Sequence, residues 1–295
     1  MDRRNFLSTA ALLPFAGSLL KSCGNSIMRP KYKFAIATYS YWHFREPKVT
    51  VQEVIDHAAN LGADGVDVLH VQMDNETPEY LTSLRKQAED NGIELICLSI
   101  HQDFVNPDKV GRDKNIEHTR HCIDIAHDLG ISYIRLNSGR WNTIKSFDEL
   151  MANRGIEPVL PGFTEDDGFN WCIESIMECL PAAEKAGVVL ALENHWGLTR
   201  SPEGLLRIVN AIDSPWLGVL MDTGNFLEDP YNKLNRLQRR LYLFRPRLIM
   251  VEGNGIHWTW IIRVSHKFSK RPIIKVISHW SLKEKKTPIQ AFPRV

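Results

Sequence analysis

The sequence is poor in cysteine, and none of its five cysteines belongs to a CxxC pair of the kind that binds a metal. Cys97, Cys122, Cys172 and Cys179 stand in apolar segments, so we predict them to be core residues. No Gly-x-Gly-x-x-Gly follows the first strand-like segment, which disfavours a dinucleotide-binding fold. With 43% hydrophobic and 24% charged residues, the 295-residue chain is neither disordered nor a disulfide scaffold. Its length suits one large α/β barrel or two ordinary domains.

Acidic residues are almost missing from the last part of the chain. Residues 235–295 contain 14 Lys and Arg but only 2 Asp and Glu, a net charge of +12. Residues 1–234 contain 22 basic and 33 acidic residues, a net charge of −11. Because the body of the chain is acidic, a polyanion is a poor partner for it, and we expect no nucleic acid to bind. The two compositions divide the chain near residue 235.

Residues 1–26 have the pattern of an export signal. Arg3 and Arg4 precede an apolar stretch that ends at Leu20, which is typical of twin-arginine export. That stretch is about 15 residues long, whereas a permanent bilayer span needs about 20. We therefore predict an exported chain that is periplasmic or anchored to the membrane by a lipid on Cys23. Cleavage nearby without lipidation is an alternative, and a buried helix is the non-targeting interpretation.

Residues 33–234 alternate short apolar runs with amphipathic segments. The runs predict strands at 34–40, 65–70, 93–100, 132–138, 188–194 and 217–222. The segments between them predict helices at 51–60, 79–91, 115–129, 169–186 and 202–212, of which the first four end near a glycine. Units that recur about every 30 residues favour a (β/α)8 TIM barrel over a doubly wound sheet. Residues 140–167 would be an insertion on the active-site rim.

Two carboxylates end apolar strands in this pattern, at the position where barrel enzymes carry catalytic groups. Glu193 and Asp222 follow neighbouring predicted strands, and a buried carboxylate needs a partner. Together they predict a site for a hard divalent cation. The alternative is a structural ion pair with an internal cation such as Arg135.

Other side chains at the strand ends have two interpretations each. His101 either contacts a substrate or is simply hydrogen-bonded. Asp67 either pairs with a cation or caps a helix. Trp141, together with Trp196 and Tyr41, either forms an apolar wall for a ligand or packs as aromatic side chains commonly do at a barrel mouth.

Four stretches of the sequence resemble the sugar phosphate isomerase/epimerase family, whose fold is the xylose isomerase-like TIM barrel. They are 96–104 (ICLSIHQDF), 134–141 (IRLNSGRW), 192–195 (LENH) and 221–226 (MDTGNF), each at a predicted strand end. The resemblance runs from about residue 33 to about residue 234. It implies a metal-dependent isomerase or epimerase that acts on a sugar or sugar phosphate through an enediolate.

The resemblance also implies a set of site residues. In that family a divalent metal, here Mn²⁺, Mg²⁺, Co²⁺ or Zn²⁺, is held by Glu, Asp, a His or Gln, and a second Glu. The first Glu falls on Glu193, which is also the implied catalytic residue, and the Asp falls on Asp222. Asn225 stands where some epimerases carry a substrate-binding His. The remaining residues expected to contact substrate are His101, Arg135, Asn137, Trp141, Asn194 and His195. The metal would act as a Lewis acid while carboxylates remove and return a proton.

The last sixty residues lack the two remaining ligand strands of that family. Read from the third base of each codon, Met250-Val251 must give Gly and His257-Trp258 must give Leu. Free codons then permit the family-like strands Gln-Ala-Lys-Thr-Tyr-Tyr and Ile-Ser-Leu-Glu-Phe-Glu-Gly. We therefore predict a frameshift near Asn235. The alternative is a divergent basic tail, over residues 235–295, that binds nucleic acid or an anionic membrane.

A frameshift has structural and functional consequences. The last two strand–helix units would be lost or aberrant, which would leave two unpaired sheet edges. Two of four metal ligands would remain, so we expect an impaired or inactive enzyme.

Two other functions stay open on the same barrel. One is a metal-dependent phosphodiesterase like the endonuclease branch of the superfamily, and the other is a non-catalytic carbohydrate-binding barrel. For partners we expect a small sugar or sugar phosphate, with membrane contact only through the signal or a lipid on Cys23. Assembly into a homo-oligomer is compatible with the sequence.

Overall fold

The computed structural model describes residues 34–42, 44, 46–226, 228–237, 241–245, 247–248 and 258–263. The chain divides into two compact units, 1–31 and 32–295, and every described residue belongs to the second. The predicted signal at residues 1–26, with Cys23, lies outside the described residues. Side chains are described up to residue 237, except that of Tyr231, and the three strands beyond it are described by their backbone.

The described residues form a sheet surrounded by helices. The strands are β1 (Phe34–Ala37), β2 (Gly65–Leu69), β3 (Glu94–Ser99), β4 (Tyr133–Leu136), β5 (Val189–Glu193), β6 (Leu217–Asp222), β7 (Leu241–Arg245), β8 (Arg247–Leu248) and β9 (Trp258–Arg263). The α-helices are α1 (Tyr39–Trp42), α2 (Val51–Asn60), α3 (Pro78–Asp90), α4 (Lys109–Asp128), α5 (Phe147–Ala152), α6 (Glu165–Ala186), α7 (Pro202–Ile212) and α8 (Pro230–Leu237). Two short 3₁₀ helices are His70–Gln72 and Gly197–Thr199.

Strands β1 to β7 are parallel and follow one another in sheet order. The six predicted strands and five predicted helices are confirmed, as is the predicted TIM-barrel class. Helices α4 and α6 begin earlier than predicted. Their first turns are polar, so these residues do not show the apolar spacing on which the prediction relied. Asp108 caps α4 through the amides of Val110 and Gly111, and Thr164 forms a capping box with Asp167 at α6.

The barrel has a large outer core and a small inner one. The outer core lies between sheet and helices and contains Val54 of α2, Leu84 of α3 and Ile123 of α4. The inner core consists of Ala35, Ile96, Cys97, Ala191 and Leu220, with Tyr133 packed against it. The four predicted core cysteines are buried and free, as expected. None of the described helices combines the length and apolar character that a membrane crossing requires.

The last strands close the sheet in an irregular way. β9 is antiparallel to both of its neighbours, β7 and β1, and β8 contributes two residues that also pair with β9. The expectation of two unpaired edges is therefore wrong, because β9 bridges β7 and β1. The expectation of aberrant final units is confirmed. Nine residues separate β8 from β9, fewer than the dozen or more that a parallel crossover needs.

Candidate functional site

A cavity of about 570 Å³ opens at the carboxyl ends of the parallel strands. Side chains on a strand alternate between faces, so the residues two positions beyond the inner core also face the barrel interior. Ala37 lies two residues beyond Ala35 on the same face of β1, and Ser99 lies two residues beyond Cys97 on the same face of β3. Residues on the neighbouring strands are related in the same way. The resulting ring lines the cavity and consists of Ala37, Asp67, Ser99, Arg135 and Glu193. An apolar lower layer thus carries a polar upper layer that faces the cavity.

Glu193 and Arg135 form a buried ion pair in this ring. Arg135 Nε lies 3.8 Å from Glu193 Oε2, and the two side chains are 7% and 1% exposed. Arg135 also donates from Nη1 to Asn137 Oδ1 at 2.9 Å, which fixes the plane of its guanidinium. The guanidinium offsets the cost of burying the Glu193 carboxylate. The structural ion pair between Glu193 and Arg135, which the sequence offered as the alternative to a cation site, is therefore present.

Asp222 ends β6 and is held by its neighbour Asn194. Asn194 Nδ2 donates to the carbonyl oxygen of Asp222 at 2.9 Å, and the Asp222 amide donates to Asn194 Oδ1 at 2.7 Å. The Asp222 carboxylate accepts the amide of Gly224 at 2.7 Å. Asn194 is fully buried and does not line the cavity. Its side-chain amide ties β5 to β6, and its predicted contact with substrate stays a prediction.

Asp67 is the second acidic group of the ring. Its carboxylate accepts the Ser99 hydroxyl, with Oγ 2.8 Å from Oδ1 and 3.1 Å from Oδ2. Asp67 is 2% exposed. Sequence reasoning missed Ser99, although the period-two step from Cys97 could have identified it.

Histidines and aromatic rings form the upper wall of the cavity. His101 is exposed there and meets the Phe44 ring at 6.1 Å between centroids. His195 packs on Trp196 at 4.5 Å, and Trp196 in turn contacts Phe147 at 5.5 Å. Phe147 belongs to the insertion predicted to lie on the rim, and sequence reasoning gave it no role. The wall therefore combines polar and apolar surface.

Trp141 lies elsewhere. It lines a second cavity of about 240 Å³ and packs against Trp171 with ring centroids 6.1 Å apart. A Cβ on Gly168 would come within 2.8 Å of the Trp141 ring. Trp141 therefore packs in the α6 layer and does not line the cavity at the strand ends, and its predicted contact with substrate stays a prediction.

Two asparagines complete the cavity. Asn225 is 5% exposed, and its Nδ2 is buried without a hydrogen-bond partner among the described residues. A buried donor left unpaired costs about 1–3 kcal/mol, so its presence at a cavity wall suits a ligand acceptor. Gln102 Nε2 donates to the backbone carbonyl oxygen of Asn137 at 2.6 Å, and Arg135 donates to the side-chain Oδ1 of Asn137.

A tight turn supports this side of the cavity. Gly139 has φ +87°, and a Cβ there would lie 2.0 Å from Asp103 Oδ1. The same carboxylate accepts Asn142 Nδ2 at 2.6 Å and the amide of Val105 at 3.0 Å. Burial raises the pKa of Asp103, although these hydrogen bonds act to lower it. Only glycine fits at position 139.

Glu193 and Asp222 provide part of what a site for a hard cation needs. Glu193 and Asp222 are buried oxygen donors at the ends of adjacent strands. Among the residues with described side chains, however, neither belongs to a group of three His, Cys, Asp or Glu close enough to hold an ion. Any further ligand from the last strands would come from side chains outside the described residues.

A barrel of parallel strands with a buried polar ring at their carboxyl ends has the architecture of a TIM-barrel enzyme. The family model described as "Xylose isomerase-like TIM barrel" matches residues 55–273. The chain belongs to this family. The match extends beyond residue 234, into the basic segment. A search of the curated proteins found no match.

Solved structures show the same fold. D-psicose 3-epimerase from Clostridium cellulolyticum H10, solved with D-tagatose, has a TM-score of 0.59 and 18% identity, with 75% of each chain covered. A D-tagatose 3-epimerase-like protein has a TM-score of 0.55 and 18% identity, over 70% of this chain and 71% of that one. The probable 3-DHS dehydratase AsbF of petrobactin synthesis in Bacillus anthracis has a TM-score of 0.54 and 17% identity, over 74% and 73%.

Proposed function

We propose that this chain is a sugar or sugar phosphate isomerase or epimerase whose active site is incomplete. The observation that carries the proposal is Glu193, a buried carboxylate at the end of β5, on the floor of the cavity beside Arg135. One solved structure of the same fold is named a D-psicose 3-epimerase and another a D-tagatose 3-epimerase-like protein. A deprotonation next to a sugar carbonyl needs such a carboxylate.

Glu193 and Asp222 would hold a divalent metal, as two of the four ligands that the family resemblance implies. When bound, the metal would act as a Lewis acid for negative charge on the substrate oxygens. Arg135 keeps the Glu193 carboxylate in place, and Asn194 fixes the Asp222 backbone. The unpartnered amide of Asn225 would donate to a sugar oxygen. His101 and His195 would bind hydroxyl or phosphate groups, while Trp196 covers an apolar face of the ring.

The incomplete site follows from the composition of the basic segment, residues 235–295. We attribute this segment to a frameshift near Asn235, because another reading of its codons permits the missing ligand strands. The antiparallel course of β9 agrees with this origin, since a family barrel would continue with parallel strands.

The test compares two proteins, the chain as it stands and a version with the reading frame restored after Asn235. Each is loaded with Mn²⁺ and incubated with D-psicose, D-tagatose and their phosphates, and the products are separated by chromatography. We expect turnover in the restored protein alone. Glu193→Gln in the restored protein should lower the rate by about 10²–10⁴-fold, the range of a lost acid–base group. Turnover by the chain as it stands would contradict the incomplete site.

A second candidate is a carbohydrate-binding barrel without catalysis. The Arg135–Glu193 ion pair favours it, because this pair already compensates both charges without a metal. Sugar binding to the chain as it stands, unchanged by EDTA and by Asp222→Asn, would support this candidate. The phosphodiesterase alternative has less support, because the one described His/Cys/Asp/Glu group close enough to hold an ion does not line the cavity.

The chain is further proposed to be exported through residues 1–26, and to be periplasmic or lipid-anchored at Cys23. Replacing both Arg3 and Arg4 with lysine should retain the precursor in the cytoplasm. Cys23→Ala should abolish labelling by a radioactive fatty acid. Export of the double-lysine variant would contradict the twin-arginine route.

A further inference from the structure

A cluster of histidine and cysteine side chains lies outside the main cavity. His70 is the first residue of the 3₁₀ helix after β2, and His118 and Cys122 stand one turn apart on α4. Residues four apart share one face of a helix, so the last two point the same way. One ligand atom from each of the three residues lies within 4.8 Å of the others. None of the three lines the cavity at the strand ends.

The Cys122–His118 distance is close to the distance between two ligands of one zinc ion. Cys122 Sγ lies 3.7 Å from His118 Nε2 and 3.9 Å from its Nδ1. Two ligands on a tetrahedral zinc ion, one sulfur and one nitrogen, lie about 3.6 Å apart given the usual bond lengths. His70 and His118 meet edge to face with ring centroids 5.3 Å apart. Small side-chain movements would bring all three ligand atoms to one ion.

His70 has a ring nitrogen to spare. Its side chain is 10% exposed, and its Nδ1 is buried without a hydrogen-bond partner among the described residues. Its other nitrogen, Nε2, lies 2.7 Å from Glu76 Oε1. Ligand histidines commonly contact a carboxylate through the nitrogen that does not bind the metal. The Glu76–His70 contact leaves Nδ1 available to bind an ion.

Glu76 also contacts a second histidine, His121, with Oε2 2.5 Å from its Nε2. The hydrogen bond from His121 is the main reason why the pKa of Glu76 is lowered. Glu76 is therefore an anion beside the cluster, where it would help to neutralise a divalent cation.

The protonation states are compatible with metal binding. Burial lowers the pKa of His118, which keeps its imidazole neutral as a ligand must be. Burial raises the pKa of the Cys122 thiol to about 12, so this group is a thiol in the free protein. A bound metal deprotonates a coordinating thiol, and binding should release one proton from Cys122.

We propose that His70, His118 and Cys122 bind a divalent transition-metal ion of the zinc type, with Glu76 positioning His70. Imidazole and thiolate ligands select zinc or cobalt over magnesium, manganese or calcium. The site ties the segment after β2 to α4. It is independent of the proposed function, because it shares no residue with the Glu193–Asp222 pair.

The test uses the full chain, freed of metal with a chelator and titrated with Co²⁺ or Zn²⁺. Thiolate ligation of Co²⁺ gives a near-ultraviolet sulfur-to-cobalt charge-transfer band. We expect this band in the unaltered chain, with saturation at one ion per chain. Cys122→Ser should remove the band, and His118→Gln should weaken Co²⁺ binding at least tenfold. Glu76→Gln should weaken binding about 10–100-fold, as other partners of ligand histidines do, while the band is retained.

Matched controls separate this site from other thiols and from the barrel. Cys179→Ser alters a buried cysteine on α6, whose sulfur is 4.0 Å from the Ile116 carbonyl oxygen and which belongs to no described metal-holding group. Cys179→Ser, Cys23→Ser and Glu193→Gln should leave the band unchanged. Circular dichroism checks that each variant is folded, and if Cys122→Ser is not, His118→Gln decides.

Three results would overturn the proposal. One is a folded, unaltered chain that shows no charge-transfer band and retains no more Zn²⁺ after desalting than the Cys122→Ser variant. Another is a band that persists in Cys122→Ser. The third is loss of the band in a folded Glu193→Gln variant, because thiolate ligation of the metal would then depend on the barrel site.

Discussion

The first six strands of the sheet and its last three strands close one barrel in different ways. β1 to β6 are parallel, and helices separate each strand from the next. β7 and β8 are separated by one residue, and β9 runs antiparallel to both of its neighbours. Parallel pairing needs long crossovers, whereas antiparallel pairing accepts short ones. The sheet therefore closes into a ring even though its last strands do not continue the repeating unit of a parallel strand followed by a helix.

The two regions, the first six strands and the basic segment after residue 234, also differ in their polar and charged residues. The polar ring with Glu193 and Arg135 is complete within the regular region, which also holds Asp222. The basic segment, residues 235–295, carries a net charge of +12 against −11 for residues 1–234. The described part of the candidate site is thus built by the first six strands, and on the proposed function only the part contributed after them has changed.

The largest effect should come from proline in β5. Ala191 is registered with Arg135 on β4 and with Gly218 on β6, so Ala191→Pro removes a ladder hydrogen bond from a central strand. We expect loss of the cooperative thermal transition in circular dichroism. The matched change is Ile261→Pro in β9, which is registered with Ala35. It should lower the melting temperature but leave a cooperative transition, and equal loss in both variants would show that the two regions are not distinct.

A smaller effect is expected from breaking the buried ion pair. Arg135→Met leaves Glu193 without its cation, and loss of one partner of a buried pair costs about 3–5 kcal/mol. The measurement is the free energy of unfolding from urea titration. The control is Arg236→Met, which breaks the exposed pair of Arg236 with Glu203 and should cost about 0–1 kcal/mol. Similar costs for both variants would argue against a buried, site-forming pair.

Next in size is Gly139→Ala in the turn that supports the cavity. A Cβ at Gly139 would lie 2.8 Å from the amide nitrogen of Phe104, and φ is +87°. Backbone strain of this kind costs about 1–3 kcal/mol, to which the clash adds. Gly162→Ala is the control, with φ +91° and no heavy atom within 4 Å of the added Cβ. If both variants lose the same free energy of unfolding, the close packing at Gly139 has no energetic effect.

The smallest effect concerns the capping box at the start of α6. Thr164→Ala removes the hydroxyl that accepts the Asp167 amide and should cost about 1 kcal/mol. Hydrogen bonds from the Thr164 side chain and amide lower the pKa of Asp167. Because the folded-state pKa is depressed, the stability that Asp167 contributes is present above its usual carboxyl value and disappears as pH falls through the lowered one. The stability gap between the unaltered chain and Asp167→Asn should therefore close in acid, and a gap constant with pH would contradict this.

The sequence predicted the regular region well, because each strand there is an apolar run and each helix has an amphipathic face. β6 was predicted at its observed bounds, 217–222, and α2 at 51–60. The same reasoning failed after residue 235, where an antiparallel β9 depends on pairing partners distant in the chain. Strand polarity is not encoded in local periodicity, and so the closed sheet edges were not predicted.

The candidate site could be predicted in part. Glu193 and Arg135 were identified because polar residues at the ends of apolar strands are rare, and the two were even named as partners. Trp141 and Asn194 do not line the cavity at the strand ends, which the sequence did not show because a motif position does not tell which way a side chain points. The His70–His118–Cys122 cluster was not predicted, since the sequence does not show that the segment after β2, which carries His70, meets the face of α4 that carries His118 and Cys122.

The nucleotide sequence of the gene across codons 229–295 is the most direct test of the central claim, that an isomerase-type barrel has lost the last part of its site. We predict that a single-base correction near codon 235 opens a frame that encodes two parallel strands ending in the missing Gln or His and Glu ligands. A gene in which no alternate frame encodes such strands would contradict the account, and the basic segment would then be a native part of this barrel.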